Sequence, residues 1–179
     1  MKNASLWILA GAVFAFAAHA DDAQFERMPS DAYKAMLRDA TTIYDRKDYT
    51  RAFEMNHRAA CAGDKTSQAI LGRMYLLGQG TQKDDITGYA WIKLAAEFRF
   101  GDFTSLAKKL EDAMTPEQRA KGTAKSDELR KDYGLAATNM SCRGESTHGV
   151  YLIDGVGCTP ASGGGGTVLV RRCVDAPAK

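Results

Sequence analysis

Gln68 to Ala96 reads QAILGRMYLLGQGTQKDDITGYAWIKLAA, and the reading of this stretch decides the fold. Slid back by 36 residues it meets its own echo: Lys83-Asp84 falls on Lys47-Asp48, Tyr89 on Phe53, Trp91 on Met55 and Ala95-Ala96 on Ala59-Ala60. A fixed period of this size marks a supersecondary unit that repeats and stacks, because one unit alone cannot bury its apolar face.

The spacing within the stretch predicts two helices and a turn. Ile70, Leu71, Met74 and Tyr75 recur at i, i+1, i+4 and i+5, one stripe of a helix. Gly72 lets a neighbouring helix approach closely. Gly78 is placed to end the helix in the left-handed conformation, and Gly80 gives the loop a second permissive position. Asp84 or Asp85 then caps the next helix, whose apolar surface comes from Tyr89, Trp91, Leu94, Ala95 and Phe98. These are core and turn residues, and none is read as a catalyst.

Leu71-Gly72, Met74-Tyr75, Gly78-Gln79-Gly80, Asp84, Trp91 and Ala95-Ala96 stand in an order and spacing that resembles a Sel1-like repeat, a helix-turn-helix unit related to tetratricopeptide repeats. The resemblance covers Asp48 to Asp102: one full unit and the second helix of the unit before it. Thr81 and Gly88 stand where the family usually has Val and Ala, and Phe98-Arg99-Phe100 lengthens the exit to Gly101. The resemblance implies a mostly α fold, an α/α superhelical array of helix-turn-helix repeats. It also implies an adaptor role, since similar proteins serve in assembly, envelope stress or host interaction.

Outside the repeat, Met1 to Ala20 carries one cation, Lys2, then an apolar run from Leu6 to Ala18 closing on Ala18-His19-Ala20. That pattern predicts a secretory signal peptide over 1–20, too short for a comfortable membrane span, and a mature chain beginning at Asp21 in the bacterial periplasm or beyond. Removing it takes Lys2 from the 24 Lys and Arg, so 23 cations face 22 Asp and Glu. A near-neutral chain of this length supports one domain with a modest core and argues against nucleic acid or an anionic membrane surface as partner. No other stretch is apolar enough to cross a bilayer.

The helical repeat domain is expected to span 21–137. Pro29-Ser30-Asp31 opens its first helix, with Ser30 as the cap and Tyr33, Met36, Leu37, Ala40 and Tyr44 as the stripe. Arg46-Lys47-Asp48 turns into a helix presenting Ala52, Phe53, Met55 and Ala59 and stopping at Gly63. Leu106 and Leu110 continue the stack. A polar closing helix follows, about Pro116 to Tyr133, with Pro in its favoured first position and Ala120, Ala124, Leu129 and Tyr133 as its apolar positions.

From 138 to 179 the composition changes to glycine and cysteine. Val150-Tyr151-Leu152-Ile153 and Thr167-Val168-Leu169-Val170 read as strands of a small hairpin, joined by a mobile connection that ends in Gly163-Gly164-Gly165-Gly166. Such a hairpin is marginal alone and needs staples. The four cysteines, Cys61, Cys142, Cys158 and Cys173, predict two disulfides in an exported protein, with three pairings open. Because Cys61 is the one cysteine of the helical part, full pairing forces one bridge from the array to the tail.

Three chemistries compete for a functional site. Ser105-Leu106-Ala107-Lys108 spells S-x-x-K, the nucleophile motif of serine β-lactamases, but no S-D-N or K-T-G accompanies it, so an enzyme acting on β-lactams or peptidoglycan is the weakest reading. Cys142, Glu145, His148, Cys158 and Cys173 contain zinc or copper ligand types without close C-x-x-C spacing, which leaves a metal-binding tail as an alternative. His57 reads as a helix-surface histidine beside Arg58. The preferred reading is a non-enzymatic scaffold or adaptor in the cell envelope, without cofactor, that binds a protein or peptide. Arg73 and Leu76 are the contact residues, because helical spacing sets them off the Ile70-Met74 stripe. Oligomeric state is left open.

Overall fold

A computed structural model describes residues 24–98, 101–143 and 157–174. The expected signal peptide, the run Val150–Ile153, Glu145 and His148 lie outside the described residues.

Six helices dominate the described residues: α1 (Ser30–Asp45), α2 (Tyr49–Cys61), α3 (Lys65–Leu77), α4 (Asp85–Ala95), α5 (Gly101–Ala113) and α6 (Pro116–Tyr133). The period of 36 is visible in the starts of α2 and α4, at Tyr49 and Asp85. Turn chemistry matches the spacing. Lys47 (φ 62°), Gly63 (φ 94°), Gly78 (φ 64°) and Gly80 (φ 70°) take the left-handed conformation at the helix junctions. Asp84 caps α4, its Oδ1 accepting from the amides of Ile86 and Thr87 at 3.0 Å. The Thr115 hydroxyl and Gln118 side chain form a reciprocal capping box at α6.

Close packing between α3 and α4 depends on their missing side chains. A Cβ on Gly72 would lie 2.6 Å from Ile92 Cγ1 and 2.7 Å from the Gly88 carbonyl oxygen. The core this creates holds Phe53, Leu71, Met74, Tyr75, Trp91, Leu94 and Tyr133. A smaller cluster of Ala69, Ala95 and Phe103 joins α5, on which Phe103 and Ala107 are buried while Leu106 and Leu110 are half-buried.

The closing helix turns inward a face that its apolar letters give only in part: Tyr133 is buried and Leu129 packs against the core, as expected. Ala120 and Ala124 are exposed, and Gly122, Ser126 and Tyr133 are buried. Tyr89 explains this: a Cβ on Gly122 would sit 2.4 Å from its ring, so α4 can approach only over the smallest residue of α6.

Among the described residues five short strands accompany the helices: β1 (Phe25–Pro29), β2 (Met140–Arg143), β3 (Gly157–Pro160), β4 (Ser162–Gly164) and β5 (Thr167–Arg171). β5 lies between β1 and β4, antiparallel to both, and β2 pairs with β3. The expected second strand is thus present as β5, but its partners are the segment before α1 and the glycine run. That run is strand and tight turn: the Gly166 carbonyl accepts from the Ser30 amide at 3.0 Å and from the Ser30 hydroxyl at 2.8 Å, and the Gly163 carbonyl accepts from Arg27. Ser30 therefore tethers the glycine turn, while Pro29 occupies the cap position of α1 without a side-chain cap bond. Met28 and Val170 carry the sheet onto Tyr33 and Ala62 of the helical layer.

Candidate functional site

Arg73 and Leu76 both lie on α3, and the structure separates them. Arg73 is exposed, its guanidinium 5.9 Å from the centre of the Tyr44 ring on α1, so it bridges the first helices of two successive pairs. The Tyr44 hydroxyl in turn reaches Gln79 Oε1 at 3.3 Å. Leu76 is half-buried and lies over α4, where a Cβ on Gly88 would come within 2.7 Å of its Cγ. One residue further, Leu77 is 60% exposed and stands one helical turn after Arg73. The sequence reading did not single out Leu77; its signal was a fourth apolar residue following Met74-Tyr75-Leu76, one more than the buried stripe can absorb.

A buried polar cluster lies at the N-terminal end of α3. Lys65, 1% exposed, donates to Gln68 Oε1 at 3.0 Å and to Glu97 Oε2 at 3.1 Å. Burial pushes the Lys65 ammonium below its ordinary pKa, and the Glu97 carboxylate opposes that shift. Gln68 donates to the carbonyls of Ala60 and Tyr133 at 3.0 and 2.9 Å, joining α2, α3 and α6. The satisfied partners on all sides make this a structural bolt.

The tail meets the array at a third cluster. Cys61, at the end of α2, is bonded to Cys173 just beyond β5, so the bridge between array and tail is Cys61–Cys173. Cys158 is also disulfide-bonded, and the β2–β3 register places Cys142 opposite it. His57 is buried, contrary to its reading as a helix-surface residue. It sits one turn before Cys61, and its Nδ1 lies 3.8 Å from Cys61 Sγ and 3.5 Å from Cys173 Sγ. Trp91 approaches its ring edge-on, with centroids 6.5 Å apart, and Phe53 lies 6.3 Å away. The periodic register of α2 puts 53, 57 and 60 on one face, which faces α3 and α4.

The other candidates are dispersed. Ser105 is exposed on α5, and Lys108 reaches forward to Asp112, one turn away from Ser105. Of the tail metal set, Cys158 and Cys173 are both oxidised, and their sulfurs as bonded offer no thiolate. No helix among the described residues is long and apolar enough to cross a membrane.

No protein family's sequence profile matches the chain, and no curated protein matches it. A solved structure does: a protective antigen, c5321, present in uropathogenic Escherichia coli strains and displaying an SLR (Sel1-like repeat) fold, with a TM-score of 0.53 and 21% identity. The chain has the fold of a helical repeat array. The likeness takes in 65% of this chain but only 27% of that one, so the chain spans about a quarter of the antigen's length.

Proposed function

We propose that the protein is a non-enzymatic interaction scaffold, exported to the bacterial periplasm or beyond, that binds a protein or peptide along the first helices of its repeats. The observation that carries the proposal is the exposed pair of Arg73, held over Tyr44 at the junction of two helix pairs, and Leu77, one turn further along α3. Arginine and tyrosine are enriched where binding energy concentrates, and an exposed leucine beside them supplies apolar contact. Arg73 is already held over the Tyr44 ring, so little side-chain freedom is lost on contact. Leu76, lying over Gly88, supports the shape of this face more than it meets a partner. The domain division follows the same reading: a repeat body over 21–137 and a stapled tail over 138–179, whose strand β5 pairs with β1 and whose Cys173 is bonded to Cys61. Export is supported by the A-x-A ending of the apolar N-terminal run and by the oxidised cysteines.

The test is selection from a random-peptide display library against the folded, oxidised protein, followed by calorimetric titration of enriched peptides. Arg73→Glu and Leu77→Ala together are expected to weaken binding by about tenfold or more, a loss of roughly 1.4 kcal/mol. Selected peptides that bind the double variant with wild-type affinity contradict the placement of the site.

A further inference from the structure

We propose that reduction of the Cys61–Cys173 disulfide uncovers a metal site in which His57, Cys61 and Cys173 hold one zinc-class divalent ion.

The donor atoms are already gathered: His57 Nδ1 and the two sulfurs lie within 4.8 Å of one another. Zinc bonded to thiolate at about 2.3 Å and to imidazole at about 2.05 Å places nitrogen and sulfur about 3.6 Å apart and two sulfurs about 3.8 Å apart when tetrahedral. The His57-to-sulfur distances are 3.5 and 3.8 Å, so both match before any ion is present. Only the two sulfurs must part. Cys61 is fixed on α2 with no exposure, whereas Cys173 follows the end of β5 and is half-buried, so Cys173 is the member that moves.

Breaking the bond does not release the strand that carries Cys173. β5 stays paired with β1 over Thr167–Arg171. Arg171 remains in a salt bridge with Asp132 at 3.1 Å, and the Val174 amide still donates to the Tyr133 hydroxyl at 3.0 Å. These contacts flank Cys173 on both sides and keep its thiol beside His57. The dithiol state is therefore a preorganised ligand set, not a pair of loose cysteines.

The chemistry balances with a dithiol as reductant. The dithiol gives two electrons and two protons to the Cys61–Cys173 bond, which becomes two thiols while the reductant closes to its own disulfide. The ion then displaces both thiol protons to solvent. Two thiolates and a neutral imidazole leave a divalent ion with no net charge, the condition that a shell containing Phe53, Trp91 and Tyr133 favours. A monovalent ion on the same ligands would leave a net negative charge in that shell. Water supplies the fourth ligand from the Cys173 side.

The experiment reduces the full chain with dithiothreitol under argon, removes the reductant, and titrates Co2+ while recording the sulfur-to-cobalt and d–d bands, with Zn2+ displacing it. Near-ultraviolet circular dichroism follows the packed aromatic rings. The expected result is one equivalent of tetrahedral Co2+ on the folded reduced protein and none on the oxidised protein. His57→Ala, which retains both thiols, should weaken binding by at least about tenfold. A Cys142→Ser, Cys158→Ser variant should bind as the wild type does, and if it does not fold, the His57→Ala comparison on the wild-type background decides. Absence of binding, loss of the aromatic signal on reduction, undiminished binding by His57→Ala, or loss of binding in a folded Cys142→Ser, Cys158→Ser protein would overturn the proposal.

Discussion

The Trp91 indole stacks on the Tyr133 ring, with centroids 5.6 Å apart and planes 22° from parallel. This contact joins α4 to the end of α6, and the Tyr133 hydroxyl extends it by accepting from the Val174 amide at 3.0 Å. One side chain thus ties the repeat, the closing helix and the chain beyond β5. Tyr133→Phe keeps the stack and loses the hydrogen bond, for an expected cost of about 1 kcal/mol. Tyr133→Ala removes both and opens a cavity, for about 3 to 5 kcal/mol. Guanidinium chloride melts of the two variants measure the difference, and equal losses would mean that the stack contributes nothing.

The Cys61–Cys173 bridge closes a sequence separation of 112 residues. Constraining so long a loop in the unfolded chain contributes about 4 to 5 kcal/mol on the chain-entropy account. Replacing both cysteines by alanine should lower the unfolding free energy by that order, measured by denaturant unfolding without reductant. The helical signal should persist in the folded state, because Phe53, Leu71, Met74, Trp91 and Leu94 still pack together around the shortened Cys61 side chain.

Gly72 and Gly88 meet where α3 and α4 touch. Gly72→Ala places a methyl 2.6 Å from Ile92 Cγ1 and 2.7 Å from a backbone oxygen, and the backbone oxygen cannot rotate away. Overpacking of this kind costs about 1 to 3 kcal/mol, outweighing the helix propensity gained from alanine. Thermal melting should therefore fall for Gly72→Ala, and a rise would show that the helices separate freely.

Asp84 couples the repeat turn to pH. Burial opposes its ionisation, but hydrogen bonds from the Thr87 hydroxyl and amide, the positive charge of Lys125 and a hydrogen bond from the Ile86 amide together outweigh it and hold the carboxyl below its ordinary pKa. A carboxyl with a depressed folded pKa stabilises the fold above its unfolded value, near 3.8, and loses that contribution as pH falls through the folded value. Asp84→Asn should cost about 1 kcal/mol at pH 7. Melting curves of the two proteins should converge in strong acid; a constant gap would show that the charge is irrelevant.

Lys65 and Glu97 make the opposite kind of pair. Lys65 is buried and bonded at 3.1 Å to a partly exposed Glu97, which also accepts from the Leu135 amide at 3.2 Å. Glu97→Leu strands a buried cation and should cost about 3 to 5 kcal/mol, whereas Lys65→Met with Glu97→Leu should recover much of that loss. Chemical denaturation of the single and double variants closes the cycle, and additive losses would show no coupling.

What could be read from the sequence was local. The turn glycines, Asp84 and Pro116 act within a few residues, so spacing alone placed α3, α4 and α6. The first half of the α6 face was misread, at Ala120 and Ala124, because Gly122 and Ser126 pack through smallness, and a scale of apolar letters gives smallness no weight; Leu129 and Tyr133 were read correctly. β1 left little trace: Phe25-Glu26-Arg27-Met28-Pro29 has neither β-branched residues nor sustained alternation, and its partner Thr167–Arg171 is about 140 residues away. His57 was misplaced for a similar reason. Its environment is made by Cys173, Trp91 and Phe53, two of them distant in the chain, and nothing beside it in sequence announces them. The pairing of Cys61 with the tail was legible by elimination, but the choice of Cys173 required β5 to be placed beside α2.

The most direct test of the scaffold account is a chemical-shift map of the 15N-labelled oxidised protein titrated with the tightest selected peptide. The perturbed amides are expected to cluster at the α1–α3 junction, around Tyr44, Arg73, Leu77 and Gln79. Perturbations confined to the sheet and the turn at Gly164–Gly166, with that junction unmoved, would contradict it.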